Sequence, residues 1–343
     1  VLKMRSLVLI SHKVFFKPNA RNTLFSKVLN RGGKSILSCT LSISANDRQI
    51  FDNYRVQIRT KSTTATITPV DTVSSSESTN ALPSFIESKG QHIDLTLFQY
   101  QICPFCNIVK ALLDHSKQPY NLIEVNPLTK SELKPWSGNY RKVPIAKFHG
   151  IQVNGSEEIV KAILEQPSVI ENLTNDQWSK SSSNNSSKMT LETFSNSENA
   201  KQWMAYARND LASLLYPNIC RTLGDSYDAF GYVNTVGNNE FSTMQKMGIR
   251  TIGSVAMYIA ASKIKKKLNI TDEVSALEES IKKWERDGLQ NNLFASGCDV
   301  PDMGDIAVFG VIRSVEGLAA HDKIIRRGGA IEDWYQRMGE TLA

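Results

Sequence analysis

Residues 92–113 read HIDLTLFQYQICPFCNIVKALL and decide how the central part of the chain folds. Apolar residues alternate at Ile93, Leu95 and Leu97, which is the pattern of a half-buried strand. After the two cysteines the apolar residues recur at helical spacing instead. The sequence therefore predicts a strand that leads directly into a Cys-Pro-Phe-Cys motif at the start of a helix.

The segments that follow continue this alternation of strands and helices. Residues 120–125 and 143–148 predict two strands, residues 151–153 a short fourth strand, and residues 156–164 a helix. The order strand, helix, strand, strand, strand, helix fits the thioredoxin fold, in which a parallel pair joins an antiparallel hairpin. We predict an α/β thioredoxin-like domain over residues 85–170, with a four-stranded mixed sheet and flanking helices.

The C-terminal part has a different character. A Ser/Asn-rich stretch lies within a predicted linker over residues 171–193, and beyond it the periodicity is helical without a strand pattern. We therefore predict an all-helical domain over residues 194–343. Asp302 and Asp305 are spaced to form a capping box, which stabilises the start of a helix. The predicted helices span residues 203–215, 253–268, 271–287, 302–317 and 331–342.

Charge is distributed unevenly along the chain. The net charge is +6, but residues 1–46 contain eight Lys or Arg and no Asp or Glu, so the folded body is slightly acidic and does not indicate nucleic-acid binding. Residues 1–60 have the composition of a transit peptide, which predicts a mitochondrial or other organelle location. The alternatives are a disordered basic tail, or a peripheral membrane-targeting segment of a Golgi-membrane or cytoplasmic protein. Residues 61–84, rich in Ser and Thr, predict a disordered linker.

The two closely spaced cysteines predict a reactive thiol site. Cys103 precedes the helix, where exposed amides and the helix dipole favour its thiolate, and Pro104 is tolerated in the first turn because its missing N–H has no partner there. Cys106, one turn later, is the expected resolving thiol. Half of a zinc site and two ordinary helix cysteines are the alternatives, but there is no second CxxC and the five histidines show no ligand spacing. No metal site is predicted.

Two further segments complete a predicted glutathione site. A proline that begins the third strand of a thioredoxin fold usually follows a cis peptide bond, so Pro144 would leave the backbone of Val143 free to pair with an extended peptide such as glutathione. An edge-strand proline is the alternative. Ser156 opens a predicted helix, where its hydroxyl and the exposed amides would hold a carboxylate. An ordinary N-cap serine would look the same.

Several stretches resemble the type 2 prostaglandin E synthase family over about residues 92–343. The resemblance implies a thioredoxin- or glutaredoxin-like domain followed by an all-α domain like the C-terminal domain of glutathione transferases. It also implies a membrane-associated, often homodimeric enzyme that isomerises prostaglandin H endoperoxide to prostaglandin E and binds glutathione and, with it, haem. The stretches are LTLFQYQICPFCNIVKALLD (95–114), YNLIEVNP (120–127), NYRKVPI (139–145) and DIAVFGVIRSVEGL (305–318).

The resemblance also implies roles for individual residues. Cys103 and Tyr100 would act on the lipid endoperoxide, with the thiol polarising or protonating an oxygen and the tyrosine donating an orienting hydrogen bond. Val143 and Ser156 fall where the family holds glutathione. Two other functions use the same residues: a glutaredoxin-like thiol-disulfide oxidoreductase or glutathione transferase, in which Cys106 resolves a mixed disulfide, and a haem- or glutathione-binding carrier with Cys103 as axial ligand.

Overall fold

The computed structural model describes residues 25–31, 34–40, 94–174, 189–236 and 241–343. The chain forms two compact units, Val1–Ser78 and Thr79–Ala343. The first contains an antiparallel hairpin of β1 (Phe25–Arg31) and β2 (Lys34–Thr40). The sequence analysis predicts no strand there, although the two residues between them are glycines, a pair that favours tight turns. The rest of the leader and the linker over 61–84 lie outside the described residues, so the transit peptide and the location stay predictions.

The second unit begins with the predicted mixed sheet. Its strand order is β4-β3-β5-β6, with β3 parallel to β4 and antiparallel to β5, and β5 antiparallel to β6. The predicted fold class is confirmed. The elements are β3 (Leu95–Gln99), α1 (Pro104–His115), β4 (Asn121–Glu124), β5 (Ile145–Phe148), β6 (Ile151–Asn154) and α2 (Ser156–Leu164).

The two faces of this sheet pack against different partners. Leu95 and Leu97 point to the face covered by α1 and belong to the main hydrophobic core. Phe98 points the other way and packs with Ile145 and Leu133 in a smaller core. This division follows from the strand, because successive side chains point to opposite faces.

The remainder of the second unit is helical. Within residues 189–236 and 241–343 the structure contains no strand, which confirms the all-helical prediction. The periodicity misses five helices: α3 (Pro167–Asn172), α4 (Leu191–Ser195), α7 (Leu223–Ala229), α8 (Thr243–Gly248) and α12 (Ala319–Ile325). Each is only five to seven residues long and repeats too few apolar positions to be recognised. Helices α3 and α4 also extend from both sides into the predicted linker over 171–193.

The helices are α3 (Pro167–Asn172), α4 (Leu191–Ser195), α5 (Glu198–Tyr206), α6 (Ala212–Ile219), α7 (Leu223–Ala229), α8 (Thr243–Gly248), α9 (Ser254–Leu268), α10 (Glu273–Lys283), α11 (Met303–Arg313), α12 (Ala319–Ile325) and α13 (Ala330–Leu342). Short π-helical turns join α5 to α6 and α8 to α9, and another extends α10. A 3-10 turn, Phe230–Asn234, follows α7.

Helix α11 packs directly on α1 and so joins the two halves of the unit. Gly310 makes this possible, because a Cβ atom there would lie 2.7 Å from the carbonyl oxygen of Asn107 and from the Cα atom of Ile108. At the far end of the contact, Arg313 donates to Asp114 at 2.8 Å. The helix that carries the thiols is therefore supported along its length by the helical half.

The predicted capping box at the start of α11 is confirmed. The Asp302 carboxylate accepts hydrogen bonds from the amides of Gly304 and Asp305, and the Asp302 amide donates to Asp305. Asp305 is fully buried and also accepts from the Trp334 indole at 2.9 Å. Burial, and next the Asp302 carboxylate, raise the pKa of Asp305 to about 7.

Candidate active site

The predicted site segments meet at one edge of the sheet. The register places the last residues of β3 opposite the first residue of β5, and that residue opposite the last residue of β6. Cys103 follows β3, Val143 and Pro144 precede β5, and Ser156 follows β6. The strand register alone therefore brings these four residues to the same edge.

Hydrogen bonds hold Cys103 at the start of α1. It is the N-cap residue, with φ −82° and ψ 117°, and Pro104 follows in the first turn. The Cys103 amide donates to the Tyr100 carbonyl at 3.0 Å. The Asn107 side-chain amide reaches back and donates to the carbonyls of Gln101 at 2.8 Å and Cys103 at 3.0 Å. The turn before the helix is thus tied to the helix itself.

The two thiols are joined by a hydrogen bond. The Cys106 thiol donates to the Cys103 sulfur, and this hydrogen bond is the largest cause of the lowered pKa of Cys103, aided by the amides of Cys106 and Phe105. Burial, and next the neighbouring Cys103, raise the pKa of Cys106 well above its usual range. The directions of the two pKa shifts agree with the prediction that Cys103 is the more acidic thiol.

Glu124, at the end of β4, is a site residue that the sequence analysis missed. Its carboxylate is 4% exposed and accepts from the Gln101 amide at 2.9 Å and the Gln99 side chain at 3.1 Å. The hydroxyl of Tyr232 donates to the same carboxylate. Glu124 acts on both thiols, since its negative charge raises the pKa of each. The sequence shows only a glutamate at the end of a strand, with nothing to indicate burial.

Tyrosines of the helical half also face the thiol pair. Tyr216 of α6 and Tyr232 of the 3-10 turn each have a pKa raised first by burial, with the charges of both thiols contributing. Tyr140, in the loop before β5, has a pKa raised by burial and then by Cys106. The sequence analysis missed all three. Tyr216 and Tyr232 lie more than a hundred residues from the CxxC, and no local pattern marks them.

Tyr100 is placed differently from its predicted role. Its side chain packs with Phe98 in the smaller core, on the face of the sheet opposite α1. The Lys130 ammonium lies 4.5 Å from the centre of its ring. Its hydroxyl is buried and makes no hydrogen bond within the described part of the chain. The structure links Tyr100 to Cys103 through the backbone, and the action of its hydroxyl on a substrate stays a prediction.

The two segments predicted to hold glutathione have the expected backbone. The Val143–Pro144 peptide bond is cis, as predicted. The ladder to β3 begins only at Ile145, and the peptide groups of Val143 make no backbone hydrogen bond to another described residue. The reading of Ser156 as an ordinary N-cap is wrong, because Gly155, with φ 82°, is the N-cap and Ser156 is the first residue of α2. The Ser156 hydroxyl therefore caps no helical amide.

The described residues give no support for a haem ligated by Cys103. The Cys103 side chain is only 6% exposed. Two cavities of about 260 Å³ lie on the helical half, one beside Leu277 and Ile281 and one beside Trp203 and Tyr206, and neither includes the thiols. Among the described residues, no group of three or more His, Cys, Asp or Glu is arranged to hold a metal ion. Haem binding stays an expectation from the sequence.

None of the helices in the described ranges has the length and apolar character needed to cross a bilayer. Membrane association and dimerisation likewise stay expectations from the sequence.

Comparisons with known proteins give one family match and several similar solved structures. The family described as "Glutathione S-transferase, N-terminal domain" matches residues 97–171. Among solved structures, the chain is similar to human glutathione-S-transferase T1-1 in its apo form, with 14% identity, a TM-score of 0.42, and 73% of this chain and 84% of that one covered. Glutaredoxin 2 from Salmonella typhimurium in complex with glutathione has 15% identity and a TM-score of 0.41, with 72% and 94% covered.

Two curated relatives are more similar in sequence. Prostaglandin E synthase 2 from Danio rerio is 31% identical, with 74% of this chain and 73% of the relative covered. Prostaglandin E synthase 2 from Mus musculus is 30% identical, with 73% and 71% covered. The resemblance found in the sequence is thereby confirmed. This chain belongs to the prostaglandin E synthase 2 family.

Proposed function

We propose that this protein isomerises prostaglandin H endoperoxide to prostaglandin E, with glutathione bound beside the reacting thiol of Cys103. One observation carries the proposal: Cys103 is the N-cap residue of α1, where the Cys106 thiol and the first amides of the helix lower the pKa of its thiol. The names of the curated relatives support the choice of substrate.

Glutathione fits the edge of the sheet that carries Cys103. The peptide groups of Val143 are available to pair with its extended backbone. The uncapped start of α2, with the Ser156 hydroxyl, offers donors for a carboxylate. The match of residues 97–171 to the N-terminal domain of glutathione S-transferases supports the same assignment.

The proposed reaction needs one proton to move and no net redox change. The Cys103 thiolate takes the proton from the ring carbon that bears one endoperoxide oxygen, and the C–H electron pair forms the ketone as the O–O bond breaks. The resulting Cys103 thiol then protonates the other oxygen, which leaves a hydroxyl and restores the thiolate. The Tyr100 hydroxyl is proposed to orient the endoperoxide by a hydrogen bond.

Product analysis tests this function. The full chain is incubated with prostaglandin H endoperoxide and glutathione, beside Cys103→Ser, a no-protein blank, and Cys220→Ser, which alters a buried cysteine on the helical half. We expect prostaglandin E above the blank, unchanged in Cys220→Ser and reduced about 100-fold or more in Cys103→Ser. A product profile equal to the blank, or full rate in Cys103→Ser, would contradict the proposal.

A second function is favoured by the contact between the two thiols. Because Cys106 already touches Cys103, a mixed disulfide on Cys103 has a resolving thiol in place, as in a glutaredoxin-like oxidoreductase or a glutathione transferase with thiol substrates. Reduction of a glutathionylated model peptide, lost in Cys103→Ser, would support this function. Absence of that activity in protein that forms prostaglandin E would exclude it.

A further inference from the structure

A cavity of about 260 Å³ lies between α6, α10 and α12 in the helical half. Its apolar lining comes from Leu277 and Ile281 of α10 and Ile324 of α12, all of which are buried. Val274, one turn before Leu277 on α10, also lines it and is half-buried. The cavity is smaller than the roughly 300–1,000 Å³ of sites for drug-sized ligands, so it suits a smaller molecule.

Polar contacts beside the cavity hold its walls in place. The Asn218 side-chain amide donates to the Leu214 carbonyl at 2.9 Å and to the Glu273 carbonyl at 2.7 Å, which joins α6 to the start of α10. The Arg327 guanidinium pairs with Glu285, which joins the segment after α12 to the π-helical turn that extends α10. The three helices are therefore tied together beside the cavity, and the apolar side chains that line it do not have to meet across it.

Of the charged side chains that line the cavity in the described part of the chain, one has no counter-charge. Glu278 pairs with Lys282 at 3.0 Å, and Arg327 pairs with Glu285. Lys323 also lines the cavity, is exposed, and makes no ion pair or side-chain hydrogen bond with another described residue. An apolar cavity with an unpaired ammonium beside it is complementary to a molecule that has an apolar chain and an anionic head group.

We propose that this cavity is a binding site for a small carboxylate with an apolar chain. The chain occupies the space lined by Leu277, Ile281 and Ile324, where it removes their apolar surface from water. The carboxylate remains at the exposed edge and pairs with Lys323, so its charge is not buried. A carboxylate carries a single negative charge, which matches the single unpaired ammonium, whereas a phosphate monoester carries about two. The inference goes beyond the proposed function and does not depend on it.

Calorimetric titration of the full-length protein at pH 7 tests the site. The probe is octanoate, with octanamide as a neutral analogue of equal chain length and acetate as a carboxylate without the chain. We expect octanoate to bind roughly twofold to fivefold more tightly than octanamide, because an exposed ion pair contributes about this much. We expect no measurable binding of acetate, because it has no chain to fill the cavity. Failure of octanoate to bind, or equal binding of octanoate and octanamide, would overturn the proposal.

Lys323→Met tests the partner of the carboxylate. The matched control is Lys267→Met, because Lys267 is an exposed lysine in the last turn of α9 that does not line the cavity. We expect Lys323→Met to bind octanoate and octanamide equally, and Lys267→Met to keep the preference of the wild type for octanoate. If Lys323→Met keeps that preference, or Lys267→Met loses it as well, the carboxylate is not held by Lys323 and the proposal fails.

Val274→Phe tests the location of the chain. The larger side chain, introduced at a half-buried position of the lining, takes up part of the space. We expect octanoate and octanamide both to bind about tenfold more weakly or worse. Unchanged binding would place both ligands elsewhere in the molecule and overturn the proposal. If Val274→Phe does not fold, Lys323→Met, at an exposed position, still decides the outcome.

The thiols do not line this cavity, and none of these measurements uses the endoperoxide. Failure of the proposed isomerase would therefore appear only in the product assay, and failure of the carboxylate site only in the titrations.

Discussion

Helices α1 and α11 pack against each other, but the amides at their N-termini have different partners. The start of α11 is satisfied by the carboxylates of Asp302 and Asp305. The start of α1 has no side-chain oxygen cap, and there the Cys106 thiol and then the amides of the first turn lower the pKa of the Cys103 thiol. The same unpaired amides therefore stabilise a fold at one helix and a nucleophile at the other. The N-terminus of α11 therefore contributes to the stability of the fold, and the N-terminus of α1 contributes to the reactivity of Cys103.

The largest effect is expected when the capping box at the start of α11 is disrupted. Asp305→Ala leaves the amides of Ala295 and Asp302 and the Trp334 indole without their acceptor in a buried site. We expect a loss of about 3 to 4 kcal/mol in the free energy of unfolding. Denaturant unfolding of Asp305→Ala and wild type measures it. A loss below about 1 kcal/mol would show that the capping box is dispensable.

The second-largest effect is expected for a substitution at the contact between α1 and α11. In Gly310→Ala the new methyl group collides with the backbone of Asn107 and Ile108, which cannot rotate away as a side chain can. We expect a loss of about 2 to 3 kcal/mol in the free energy of unfolding. Gly339→Ala is the control, because a Cβ atom there meets nothing within 4 Å. Equal stability of the two variants would mean that the close approach of α1 and α11 has no energetic consequence.

The pH dependence of stability should be smaller. The pKa of Asp305 is raised from 3.8 to about 7 in the folded protein, so between these values the native state binds more protons than the unfolded state. The free energy of unfolding should therefore decrease as pH rises from about 4 to about 7, by at most about 1.4 kcal/mol per pH unit, and then level off. Asp305→Asn should reduce this slope when unfolding is followed at pH 5 and pH 7.5. An unchanged slope would assign it to other groups.

The smallest effect is expected for a substitution in the CxxC motif at the start of α1. Cys106→Ala removes the thiol donor that is the largest cause of the lowered pKa of Cys103, so that pKa should rise. Alkylation of Cys103 by iodoacetamide at pH 7 should then slow by about threefold to tenfold. Cys106→Ser keeps a donor and should lie between Cys106→Ala and wild type. If alanine and serine behave alike, the hydrogen bond between the residues is not what stabilises the thiolate.

Much of the fold followed from local patterns. The alternation at residues 93–97 and the helical spacing after Cys106 gave β3 and α1, and the spacing of Asp302 and Asp305 gave the capping box. Such features depend on residues within a turn or two of each other, so the periodicity of the sequence contains them. The hairpin of β1 and β2 was not predicted, because the basic composition of the leader does not indicate strands.

The sequence by itself determined which thiol is the more acidic. Cys103 precedes a helix whose amides and neighbouring Cys106 are specified by the next few residues, and these local groups lower its pKa. Only the tertiary structure decided which charges oppose ionisation of that thiol. Glu124 reaches the turn through a strand pairing, and Tyr216 and Tyr232 through packing of the helical half. Desolvation and Coulomb interactions depend on distances in space, and these distances cannot be read from the separation of residues along the chain.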